Sequence, residues 1–232
     1  MKKIGFVGAY DKTETILYVA KILSSFKQRV LVIDSCNMQK ARYIVPSIAP
    51  TVTYVVSYEG FDVAVGFQSF NHIKGYLGKT YEEELEYDMV LIDVDSIEYF
   101  ENFDIELADN LFFATGFDMY TLKKGLEIIH GLSQPVPMTK ILFANKVLKQ
   151  DNEYLNFLSK DAKVVWNENI INILTSDYDN LVFAENQRVS RLKFKNLSAN
   201  YKESLATIAM TIMPGLKIND VVKSLKTMDK GV

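Results

Sequence analysis

Short runs that are apolar at every interior position, alternating with helical patterns, constrain this chain more than any other feature. Residues 29 to 34 read Arg-Val-Leu-Val-Ile-Asp, and residues 87 to 93 read Tyr-Asp-Met-Val-Leu-Ile-Asp. A strand with one wet face alternates apolar and polar residues. These runs do not, so both faces are expected to be buried, as in a parallel sheet covered by helices. Residues 4 to 7 form a first apolar strand. Between it and residue 30, Ile16, Leu17, Val19, Ala20, Ile22, Leu23 and Phe26 recur at three- and four-residue spacing, the pattern of a helix with one broad buried face. Residues 3 to 34 therefore read as a βαβ unit. Its strand-to-helix loop falls at the carboxyl edge of the sheet, where open α/β sheets bind ligands.

The alternation continues down the chain. Residues 110 to 115 precede a helix from about 121 to 132, and residues 139 to 144 form a strand ending at Asn145. The expected fold class is α/β: a doubly wound, mostly parallel sheet with helices on both faces. Residues 51 to 57 and 61 to 65 flank Tyr58-Glu59-Gly60 and read as a hairpin or as two short edge strands, with no fixed place in the sheet. Residues 151 to 158 and 201 to 213 read as helices, and residues 172 to 175 as a last strand. Pro214-Gly215 stops the second of these helices. One domain over residues 1 to 213, followed by a tail over 214 to 232, is the expected organisation.

Composition narrows the function classes. Lys and Arg number 26 against 29 Asp and Glu, a formal net charge of -3, which argues against a nucleic-acid backbone as main ligand. One cysteine, Cys36, excludes an internal disulfide, and two histidines, His72 and His130, leave no metal-ligand cluster of the Cys/His kind. No run approaches the ~18 consecutive apolar residues of a membrane-spanning helix, and the N-terminal apolar run is too short for a signal peptide. A cytoplasmic protein is expected.

Gly8-Ala9-Tyr10-Asp11-Lys12-Thr13 occupies the strand-to-helix loop and ends like a phosphate-binding loop. That chemistry uses glycines so that backbone N–H groups can wrap phosphate, a lysine for the terminal phosphates and a hydroxyl for magnesium. The bland alternative is Thr13 as a helix cap with Lys12 solvated. Asp34, Asp93 and Asn145 end three strands at the same sheet edge as this loop. In that order and spacing, over roughly residues 1 to 213, the chain resembles the ParA/MinD family of deviant Walker A ATPases. The resemblance rests on the loop, on Val30-Leu31-Val32-Ile33-Asp34, on the Walker B-like run ending at Asp93, and on Leu142-Phe143-Ala144-Asn145-Lys146.

The resemblance implies a nucleotide site of Gly8, Lys12, Thr13, Asp34, Asp93 and Asn145, with ATP and Mg2+ as cofactors. Lys12 would contact phosphate, Thr13 and Asp93 or Asp34 would serve magnesium, and Asn145 would contact the base. It also implies protein partners, a homodimer, and a task in positioning or assembling pilus, secretion, division or plasmid-transfer machinery in a bacterial cell. The departures are as specific as the matches. The family lysine that reaches across the dimer falls on Val7, loop glycines fall on Ala9 and Asp11, and the aspartate that orients the attacking water falls on Cys36. Phosphoryl transfer is catalysed mainly by positioning and charge stabilisation. With those groups missing, weak or absent ATP hydrolysis is expected, and the loop is left with ATP or with no cofactor at all. An active ATP-dependent switch keeping Lys12, Thr13 and Asp93 is one alternative. A dinucleotide-dependent enzyme using Gly5, Gly8 and Asp34 is another, although G-x-G-x-x-G is missing.

The tail places Leu216, Ile218, Val221, Val222, Leu225 and Met228 largely on one face, with Lys217, Lys223, Lys226 and Lys230 supplying positive charge. Such a helix either enters a membrane interface, through Leu216, Val221, Val222 and Leu225, or packs on its own domain. MinD-like proteins are similar in using a C-terminal amphipathic helix at the membrane. The acidic residues 82 to 86 read as a solvated helix face.

Overall fold

In the computed structural model, which describes residues 1–46, 52–144 and 148–229, the parallel strands stand side by side as the unbroken apolar runs require. Among the described residues the strands are β1 (Lys2–Val7), β2 (Val30–Asp34), β3 (Tyr54–Tyr58), β4 (Phe61–Val65), β5 (Met89–Val94), β6 (Asn110–Thr115), β7 (Val136–Ala144) and β8 (Val164–Leu174). They form one sheet in the order β3-β4-β2-β5-β1-β6-β7-β8, parallel throughout except for the antiparallel β3–β4 pair. This is the α/β, mostly parallel architecture expected from the sequence. The strands β2 and β5, apolar except for Asp34 and Asp93, are buried along their whole length.

The helices are α1 (Thr13–Ser25), α2 (Ala41–Ile44), α3 (Phe70–Tyr76), α4 (Ile97–Asn102), α5 (Met119–His130), α6 (Lys149–Leu158), α7 (Asp177–Arg188), α8 (Ala199–Ile212) and α9 (Ile218–Asp229). Two apolar layers sandwich the sheet. One joins Phe6, Val32, Leu91 and Phe112 to α1, α8 and α9; the other joins Val7, Ile33, Val90 and Phe113 to residues of α3, α4, α5 and α6. Helix α1 is buried at every position from Thr13 to Ala20 because α8 and α9 cover the side that the sheet does not.

Several expectations are refined or corrected. The segment around Glu59-Gly60 is a hairpin: both turn residues have positive φ, 52° and 92°, as a tight two-residue connection requires. Its second strand, β4, is interior beside β2, so only β3 is an edge, and Tyr54 and Tyr58 face the core. Residue 51 lies outside the described residues. The last strand is longer than the expected 172 to 175 and starts at Val164. Its Trp166-Asn167-Glu168-Asn169 stretch stays half-wet because β8 is the other edge. The acidic residues 82 to 86 are an irregular loop and not a helix face. Leu85 anchors the loop in the core, and Lys79 pairs with Glu86 at 2.8 Å.

The tail helix α9 lies against α1 and α8, with Val221 and Leu225 buried, Leu216 and Met228 partly buried, and Ile218 and Val222 exposed. Val221 and Leu225 are thus spent on the domain's own core in this docked state. Lys230 lies outside the described residues. No helix among the described residues is long and apolar enough to cross a membrane.

Candidate functional site

The loop between β1 and α1 is positioned by the centre of the sheet. Strand β5 runs between β2 and β1, with Asp34 in register with Asp93 and Phe6 in register with Asp93 on the other side. Gly8 leaves β1 with φ 133°, its N–H donating to the Val94 carbonyl at 2.9 Å, and a Cβ there would come within 2.1 Å of the Ala114 carbonyl oxygen. Only glycine allows the chain to pass so close to β6.

Lys12 does not point to solvent. Its ammonium lies 2.6 Å from Asp93 Oδ1 and donates to the Gly8 carbonyl at 2.6 Å, and the residue is only 2% exposed. Burial alone would lower the lysine pKa. The charge and hydrogen bond of Asp93, together with smaller contributions from neighbouring groups such as Asp95, outweigh that burial, and the net shift is upward, so the ammonium is held charged. Thr13 Oγ1 donates weakly to Asp93 Oδ2 at 3.4 Å, and Cys36 Sγ lies 2.9 Å from Asp93 Oδ1. Asp93 is therefore surrounded by the groups that sequence reasoning assigned to phosphate and magnesium. The bland alternative also fails, since Lys12 itself is the N-cap residue of α1 and is buried.

Asp34 has a structural task. Its carboxylate accepts the backbone N–H of Ala41 at 2.8 Å and of Cys36 at 3.2 Å, folding residues 35 to 41 over the loop. Burial and the neighbouring Asp93 carboxylate push the Asp34 carboxyl up to about 7, against those backbone donors and Lys12. Burial likewise pushes the Cys36 thiol well up. Asn37 donates from N and Nδ2 to the two oxygens of Asp95, zipping the loops after β2 and β5 together. Lys40, carried over the site on the same segment, pairs with Asp11.

Gly8, Lys12, Thr13, Asp34 and Asp93 thus converge at one sheet edge, as expected. Asn145, assigned to the base, lies outside the described residues. Sequence reasoning missed Glu14. It follows the Lys-Thr pair, is 6% exposed inside α1, and accepts from Gln187 Nε2 at 2.6 Å. Burial raises its carboxyl pKa. The signal was present: a carboxylate in an otherwise apolar helical face, directly after the loop. Asp34, Cys36 and Asp93 could together offer ligands to a metal ion, their atoms lying within 4.8 Å of one another. Lys12 already supplies a cation to that cluster. The space over the loop is a cavity of about 60 Å3 whose lining includes Asp11, Lys12, Asp93 and Asp95.

No protein-family model matches the chain, and a search of curated proteins finds no match. Solved structures do match along its length. A chain of the MinC:MinD cell division protein complex of Aquifex aeolicus superposes with a TM-score of 0.58 at 10% identity, covering 94% of this chain and 98% of its own. A ParA family ATPase from Chlorobium tepidum gives 0.51 at 12% identity, covering 99% and 96%. The septum site-determining protein MinD of Pyrococcus horikoshii, in complex with Mg-ADP, gives 0.54 at 13% identity, covering 91% and 96%. The chain has the ParA/MinD fold. At these identities the likeness is one of fold.

Proposed function

We propose that the protein is a ParA/MinD-like positioning or assembly factor that works through protein contacts, with weak or absent ATP hydrolysis. The observation that carries the reading is the buried Lys12–Asp93 ion pair, 2.6 Å long, in which the loop lysine is neutralised by the chain's own Walker B-like aspartate. The residues around it do not fit a nucleoside triphosphate. Small-molecule pockets usually hold about 300–1,000 Å3, against about 60 Å3 over this loop. Asp11, Asp93 and Asp95 line that space and would stand near the phosphates, while its two cations, Lys12 and Lys40, are already paired with Asp93 and Asp11 and leave little positive charge to receive them. Val7 supplies no cation across a dimer, and Cys36 cannot orient an attacking water as a carboxylate would.

Partner recognition then falls to the surface. The MinD fold is found elsewhere in a complex with MinC, which supports a protein partner here. Pilus, secretion, division and plasmid-transfer machines are the candidate assemblies, with a homodimer through contacts other than a loop lysine. Membrane attachment through α9 would require Val221 and Leu225 to leave the core, so protein contacts are the stronger reading.

An active ATP-dependent switch is the second reading, favoured by the convergence of Lys12, Thr13 and Asp93. It requires Lys12 to exchange Asp93 for phosphate. Steady-state phosphate release separates the two. Release at the no-protein background is expected, whereas turnover well above background that disappears in Lys12→Ala would overturn the proposal.

A further inference from the structure

Residues 35–41 lie over the β1–α1 loop like a strap, held there by contacts to other loops. At its two ends the Asp34 carboxylate accepts the backbone N–H groups of Cys36 and Ala41. Near the first of these anchors, Ser35 Oγ donates to the Asp93 carbonyl at 2.5 Å, and Cys36 Sγ lies 2.9 Å from Asp93 Oδ1. Two latches close the middle. Asn37 donates from N and Nδ2 to the oxygens of Asp95 at 2.9 and 3.1 Å, and Lys40 pairs with Asp11 of the loop itself. Backbone preference does not favour this shape, because Gln39 takes φ 45°, a left-handed conformation costly to residues other than glycine. Nor does burial hold the middle, since Asn37 and Met38 are exposed. Cys36, Met38 and Lys40 nevertheless form one side of the cavity of about 60 Å3 whose other side is Ala9 to Thr13.

We propose that residues 35–41 are an autoinhibitory strap: latched, they keep phosphate from Lys12, and released, they open the loop to a polyphosphate ligand. The inference rests on the closed site described above and adds what holds it closed. Both latches are polar contacts near the surface, so they can break without unfolding the core. The paired hydrogen bonds from Asn37 end on a charged acceptor and are the stronger latch, while the partly exposed Lys40–Asp11 pair is the weaker. Release of Lys40 from Asp11 also leaves an unpaired ammonium beside the loop, so opening changes both room and charge in favour of phosphate. Because Asp34 holds the N–H groups of Cys36 and Ala41, the motion is confined to the residues between them.

The chain has one cysteine, and it lies in the strap. Labelling of Cys36 by a neutral maleimide in the full chain therefore reads opening, and calorimetry with ATP and Mg2+ reads its consequence. Asn37→Ala/Asp11→Ala, which cuts both latches, should label about tenfold faster than the wild-type chain, the scale of hydrogen bonds to a charged group. Its urea midpoint should be unchanged, and it should bind ATP with a submillimolar midpoint that the wild type does not show. Asp11→Ala alone removes the same carboxylate but keeps the Asn37 latch, and should give less than about a third of that acceleration. Equal labelling of the wild type and the double variant, or fast labelling without ATP binding, would overturn the strap. Micromolar ATP binding by the wild type would overturn the proposed function instead, and the labelling ratio would still decide the strap. Should the double variant fail to fold, Asn37→Ala alone decides, with labelling about threefold faster expected and an unchanged rate overturning the inference.

Discussion

Replacing Lys12 with methionine isolates the contribution of the central ion pair. Methionine keeps the length and apolar stem of lysine and removes only the ammonium, so the cavity left behind is small. It strands Asp93, 2% exposed, beside the equally buried Asp34. Breaking a buried pair by removing one partner typically costs about 3–5 kcal/mol, because the remaining charge has no compensation. With a urea slope of about 2–3 kcal/mol/M, the unfolding midpoint should fall by about 1–2.5 M. The double variant Lys12→Met/Asp93→Asn should recover part of the loss, giving a coupling of about 2–3 kcal/mol. Equilibrium urea unfolding followed by far-UV circular dichroism measures all four members of the cycle. A Lys12→Met loss within about 0.5 kcal/mol, the behaviour of an ordinary surface lysine, would refute the reasoning.

Three further outcomes follow from the geometry. Because Asp34 is raised to about 7 in the folded chain, the folded state binds more protons than the unfolded one between about pH 4 and 7. Its contribution is therefore fully present at low pH and lost as pH rises through 7; Asp34→Asn should flatten the stability profile across that window, and an unchanged slope would contradict the assignment. Gly8→Ala, which forces a Cβ at φ 133° against the Ala114 carbonyl, should cost at least about 2 kcal/mol by thermal or urea unfolding; a neutral result would place the loop differently. Leu225→Ala, in a position 5% exposed, should cost about 2–5 kcal/mol, and liposome sedimentation should be the same for the full chain and for a truncation after Met213; a tail needed for sedimentation, with Leu225→Ala neutral, would favour a lipid role.

The parts legible in the sequence were those fixed by burial on both faces. Strands β2, β5 and β7 carry no polar alternation, and the helix after β1 has an unmistakable apolar period, so fold class and the position of the loop could be read directly. Edge and surface elements were harder. The first half of β8 is half-wet and polar, and α7 carries so many acids and amides that its helical period is faint. The tail pattern fitted two environments equally, and only tertiary contact distinguishes packing on α1 and α8 from lipid. At the site, the convergence of Gly8, Lys12, Thr13, Asp34 and Asp93 followed from strand order. That Lys12 turns inward to Asp93 did not, since it depends on a contact across 81 positions and on the segment after Asp34 closing over the loop.

Commitment of Lys12 to Asp93 rather than to phosphate is tested most directly by titrating the purified full chain with ATP in the presence of Mg2+ by calorimetry. No saturable heat up to millimolar nucleotide is the predicted result; magnesium-dependent binding in the micromolar range that is lost in Lys12→Ala would contradict it.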